Sequence, residues 1–65
     1  MWIPVDIAVP KKPRRVLVSI KYNDNQPPIT EIGEYFGDGV WQVHNIQVNV
    51  VAWQLLPEYK EKNNA

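Results

Sequence analysis

The sequence predicts a small all-β domain: an antiparallel meander of four strands behind an N-terminal extended arm, left open or rolled into a partial barrel. Three observations lead there. Residues 15–22 alternate at period two, with Val16, Val18, Ile20 and Tyr22 on one face and Leu17, Ser19 and Lys21 on the other. That pattern belongs to an antiparallel sheet with one wet side. Gly37-Asp38-Gly39 separates two strand-like runs in the manner of a three-residue hairpin loop. And no apolar pattern recurs at the spacing of a helix.

Length sets the next bound. At 65 residues the chain holds one domain, read as a β unit over 1–58 and a polar tail over 59–65. A domain of this size buries only about 60% of the surface its unfolded chain exposes. Small domains make up the deficit with disulfides, a metal, dense packing or a partner subunit. The chain has no Cys and a single His, His44, which removes disulfides and leaves too few ligands for a structural zinc site. Three Trp, three Tyr and one Phe remain as packing material. Self-association is the other route.

Seven basic and seven acidic residues cancel. Nucleic-acid binders draw much of their affinity from an excess of cations, so charge favours a protein partner over nucleic acid. No apolar run approaches the roughly 20 residues of a membrane-spanning helix. The start, Met1-Trp2-Ile3-Pro4-Val5-Asp6, lacks the basic and long apolar regions of a signal peptide. A cytoplasmic protein without a membrane role is expected.

Taken in order, residues 2–10 alternate loosely, but Pro4 and Pro10 suit an arm or edge strand better than a central one. Lys11-Lys12-Pro13-Arg14-Arg15 follows as a basic connector, then the strand 15–22 and a turn-forming loop from Asn23 to Pro28. The second strand spans 29–36, where Gly33 marks a bulge or the close approach of another segment. The third is Val40-Trp41-Gln42-Val43, and His44 falls in a turn. From Ile46 the phase changes: Ile46, Val48 and Val50 hold one parity, Val51, Trp53 and Leu55 the other. A bulge near Val50-Val51 would keep one buried face along a single strand; the alternative is a separate short piece before a strand starting at Val50. The run 50–57, with two Val, Trp53 and two Leu, is the densest apolar stretch and belongs in the core.

The order Trp2-Ile3, Val9-Pro10, Arg15-Val16-Leu17-Val18, Ile32-Gly33-Glu34-Tyr35, the Gly-rich turn before Trp41, then Trp53 and Leu56-Pro57 resembles the phage and prophage domain of unknown function 551. The resemblance runs to about Glu58. That family tends to end in His-Trp-Met-Pro-Leu-Pro, whereas this chain reads Ala52-Trp53-Gln54-Leu55-Leu56-Pro57 and lacks the His, the Met and the first Pro. The family has no assigned activity, so the resemblance implies a phage-associated setting and a compact β fold.

Chemistry is sparsely represented. The hydroxyls of Ser19 and Thr30 and the imidazole of His44 fall in no nucleophile–base motif. Glu31, Glu34 and Asp38 could meet across the hairpin, but charges on a wet strand face are the ordinary reading. No cofactor, no metal site and no catalysis are expected. Pro10-Lys11-Lys12-Pro13-Arg14-Arg15 matches a polyproline-type ligand motif and equally a basic loop that protects a sheet edge. Trp41 and Trp53 read as core. Trp2 and Tyr35 read as a contact surface, which with Lys11, Lys12, Arg14 and Arg15 gives the candidate binding set. The function expected is that of a non-catalytic phage-type accessory module that binds a protein, either a host or defence component or a second copy. The alternatives are nucleic-acid association through residues 11–15 and a structural subunit of a larger assembly.

Overall fold

The computed structural model of the chain describes residues 1–57, and the tail expected over 59–65 lies outside them. The described residues form one antiparallel sheet of six strands. These are β1 (Ile3–Pro4), β2 (Arg14–Ile20), β3 (Ile29–Gly37), β4 (Val40–Val43), β5 (Ile46–Gln47) and β6 (Val50–Gln54). The all-β antiparallel expectation holds. Up-and-down order does not, because the spatial order is β1-β6-β2-β3-β4-β5. Among the four longer strands β6 returns beside β2, giving the order 4-1-2-3 of a Greek key. The reason lies in β2, whose Val16 and Val18 are fully buried. A strand so placed needs both edges paired, and β6 supplies the second.

One face of the sheet carries the core: Val16, Val18 and Ile20 from β2, Tyr35 from β3, Trp41 and Val43 from β4, Val50 and Trp53 from β6. The sheet must curl to enclose these. Trp41 lies opposite Tyr35, which lies opposite Arg14, six residues along β2 from Ile20. In a flat sheet Trp41 and Ile20 would stand about 22 Å apart. Yet the Val48 N–H reaches the Trp41 carbonyl at 3.1 Å, and Val50, two residues on, pairs with Ile20. Two Cα steps span at most about 7.6 Å. The sheet therefore bends about its apolar face, but the barrel is not closed: β1 and β5 are hydrogen-bonded to β6 and β4, not to each other.

The phase change after Ile46 has both of the proposed causes. The segment divides into β5 and β6, so one strand running from Ile46 is corrected. Within β6 the partners of Ser19 and Ile20 are Ala52 and Val50, leaving Val51 as the extra residue of a bulge, with Val50 and Trp53 both buried. The division falls at Val48 and Asn49, between β5 and β6; β4 and β5 themselves meet at a two-residue turn, His44-Asn45, whose φ values of 53° and 67° are those of a tight hairpin. Gly39 takes the left-handed backbone expected of the other hairpin, φ 78°, but the three-residue loop is corrected to two residues, Asp38-Gly39, because Gly37 belongs to β3 and pairs with Val40.

Gly33 marks a close approach, not a bulge. A Cβ there would lie 3.0 Å from Val18 Cγ2, 3.1 Å from Val43 Cγ2 and 3.2 Å from the Gln42 carbonyl oxygen. Gly33→Ala should destabilise the domain by about 1–3 kcal/mol through overpacking. For a chain this short that is a fall of at least about 4 °C in melting midpoint. Calorimetry checks this, and a midpoint within about 1 °C of the parent would mean that the β2–β3–β4 contact has slack the geometry does not show.

Candidate functional site

The site begins with the arm. Pro4 lacks the N–H a central strand needs, and β1 is accordingly a two-residue edge pairing Ile3 and Pro4 with Trp53 and Ala52. One further rung follows, the Val5 N–H to the Val51 carbonyl at 3.1 Å; then Ile7 and Ala8 both donate to the Pro4 carbonyl, at 3.0 and 3.2 Å, and the chain turns off the sheet. The indole N–H of Trp53 donates to the Ala8 carbonyl at 2.9 Å. Pro10 is buried, and Lys11 to Pro13 lead into β2. The arm is tied to β6 at one end by the Trp53 indole and ends at the other in a buried proline.

Between arm and sheet lies a groove of about 600 Å³. Ile3, Ala8, Val9, Pro10, Trp53 and Leu55 form its floor and walls, and Lys11, Lys12 and Arg14 rim it. Leu55 follows Trp53 by two residues and so projects to the same side; it is 53% exposed. Among the described residues no carboxylate lines the groove and no salt bridge engages its three cations. Such a cleft can bury an apolar side chain and oppose an anion; its lining holds no nucleophile–base pair.

The structure divides the sequence-derived binding set. Lys11, Lys12 and Arg14 converge on the groove. Arg15, next to Arg14 on a strand, points to the opposite face, where its guanidinium lies 3.6 Å from Glu34 beside a smaller polar depression that also involves Gln42 and His44. Trp2 is 38% exposed at the β1 edge. Tyr35 is corrected from surface to core. It is 6% exposed, its ring centroid is 4.6 Å from that of Trp41, and its hydroxyl accepts the Gly39 N–H at 3.3 Å. The polyproline-ligand reading also fails on placement, since Pro10 is buried and Arg14 and Arg15 belong to a strand.

The acidic residues do not converge. Glu34 faces Arg15, while Glu31 stands 3.9 Å from His44 in the β4–β5 turn. Ser19 pairs with Thr30 and Ala52. Among the described residues no cluster of three His, Cys, Asp or Glu could hold a metal, and no helix is long and apolar enough to cross a membrane. The groove's aliphatic members, Ile3, Val9 and Leu55, were outside the predicted set. The available signal was Ile7-Ala8-Val9, apolar residues held between two prolines and followed by cations.

In comparisons with protein-family models, curated proteins and solved structures, none matches this chain.

The Trp53–Ala8 bond can be tested directly. Trp53→Phe keeps an aromatic ring but removes the donor, and should cost about 1–2 kcal/mol for the lost hydrogen bond. Amide exchange at Ile7 and Ala8 should accelerate more than at Ile20. Equal acceleration at all three would mean that the bond stabilises the whole domain without specifically holding the arm.

Proposed function

We propose that this is a small non-catalytic accessory protein of phage or prophage type that acts by binding a protein partner. The observation that carries the reading is the groove between the arm and β6: concave, aliphatic-floored and rimmed by cations on one side. Solvated aliphatic surface in a concavity gains on burial, at about 25 cal/mol per Å² of apolar area, and that gain requires a partner with apolar side chains to offer. The phage setting is supported by the order of residues from Trp2-Ile3 to Leu56-Pro57.

Convergence of Lys11, Lys12 and Arg14 favours nucleic acid as the second reading. Phosphate binding through cations would need no aliphatic floor, and Trp53, the aromatic residue of the groove, is buried, whereas single-strand binders offer exposed rings to stack on.

Capture from nuclease-treated bacterial lysate, with quantitative mass spectrometry, tests the proposal through its variants. Leu55→Asp and Arg14→Ala should each reduce recovery of a bound protein at least about tenfold, about 1.4 kcal/mol in affinity. Arg15→Ala, on the other face, should leave it unchanged, with circular dichroism confirming the fold of all three. A bound protein indifferent to Leu55→Asp and Arg14→Ala would sink the groove as the binding surface. Loss of every partner on nuclease treatment would turn the reading to nucleic acid.

A further inference from the structure

We infer that the groove takes an extended peptide segment of the partner in which acidic residues flank a large apolar anchor. This rests on the protein-binding reading and goes beyond it in naming the chemistry of the ligand.

Charge is the first argument. The chain as a whole is neutral, with seven cations and seven anions, yet among the described residues three cations and no anion border this one cleft. Arg14 and Arg15 make the asymmetry sharp, since Arg15 is opposed by Glu34 on the far face and Arg14 has no such counterpart in the groove lining. A ligand carrying carboxylates would be attracted to this rim; a basic one would be repelled. Exposed cations of this kind contribute modestly and in a salt-dependent way, so charge selects the ligand without holding it alone.

The floor supplies the second argument. Val9 and Leu55 are exposed apolar side chains, and with Ile3 and Pro10 they make a continuous aliphatic surface beside the Trp53 ring. About 600 Å³ lies within the roughly 300–1,000 Å³ range of ligand clefts. That is room for one or two large side chains and the backbone that bears them. A phosphate chain would bring charge to the rim and leave the floor wet. Peptide recognition combines an apolar pocket with flanking charge contacts in this way.

Fluorescence anisotropy with short labelled peptides, followed by proton–nitrogen NMR of the Trp53 indole, tests the inference on the full chain. The probe is an octapeptide with Leu-Phe at its centre and three acidic residues on each side. One control replaces the acids by their amides, a second replaces Leu-Phe by Ala-Ala, and a third is an oligothymidine of similar length. The acidic Leu-Phe peptide should bind at least about tenfold more tightly than each control, weaken as salt rises, and shift the Trp53 indole signal, whose N–H bonds Ala8 in the groove wall. Lys11→Ala with Lys12→Ala, or Arg14→Ala alone, should weaken it several-fold, and Arg15→Ala should not.

Equal binding of the amide peptide, tighter binding of the oligothymidine, an unmoved indole signal, or no binding at millimolar peptide would each overturn the inference. If the peptide fails while capture of a partner still depends on Leu55 and Arg14, this inference falls and the protein-binding reading stands. If both fail, both fall.

Discussion

A tryptophan can be buried without large penalty only if its single N–H finds an acceptor, and here the acceptor is far away in sequence. Trp53 donates to the Ala8 carbonyl across a separation of 45 residues. Much of the molecule depends on that one bond. It fixes where the arm leaves the sheet, it satisfies the donor of a residue in the apolar cluster, and it joins the two walls of the groove. The core residue and the residue that shapes the site are the same residue. In a chain that lacks disulfides and can bury only a modest core, combining the two is economical, and it also means that the site and the stability of the last strand rise and fall together.

What the sequence made legible follows from local physics. Strand β2, the Gly37–Gly39 hairpin, β4 and the bulge in β6 all follow from side-chain parity and turn chemistry, which act over a few residues. Tyr22 shows the limit: it continues the parity of Ile20, but the strand ends at Ile20 and Tyr22 is exposed, because parity says nothing of where a ladder runs out of partners. The placing of β6 beside β2 was not legible, since any strand with one apolar face could pair with any other. Tyr35 was misassigned for a related reason. A tyrosine suits core and surface alike, and its burial depended on a partner for its hydroxyl, the Gly39 N–H, which only the folded hairpin supplies.

The groove was still less visible, because it belongs to no single segment. Ile3, Val9 and Leu55 come from three places in the chain and become neighbours only once the arm has turned at Pro4 and Trp53 has caught Ala8. Net charge could not show the cleft for the same reason. It is a sum over the whole molecule and bears on solubility and long-range attraction, whereas recognition depends on how the charges are distributed. A strand that alternates faces sends Arg14 to one surface and Arg15 to another, and a neutral chain thereby acquires a cationic cleft.

Exposed apolar residues elsewhere need a different interpretation. Ile32 is 52% exposed and lies opposite Leu17 on the sheet face away from the core. A single curled sheet has one enclosed face, and the described residues form no second layer over the other, so scattered apolar side chains there are ordinary for a small sheet. The groove is set apart by more than exposure. Its apolar groups are gathered in a concavity, its walls are tied by a part-buried hydrogen bond and a buried proline, and among the described residues its rim carries charge of one sign. Exposure follows from being small; a fixed shape lined with matched chemistry does not, and that difference is the physical ground for proposing this surface, and not the other face of the sheet, as the one that binds.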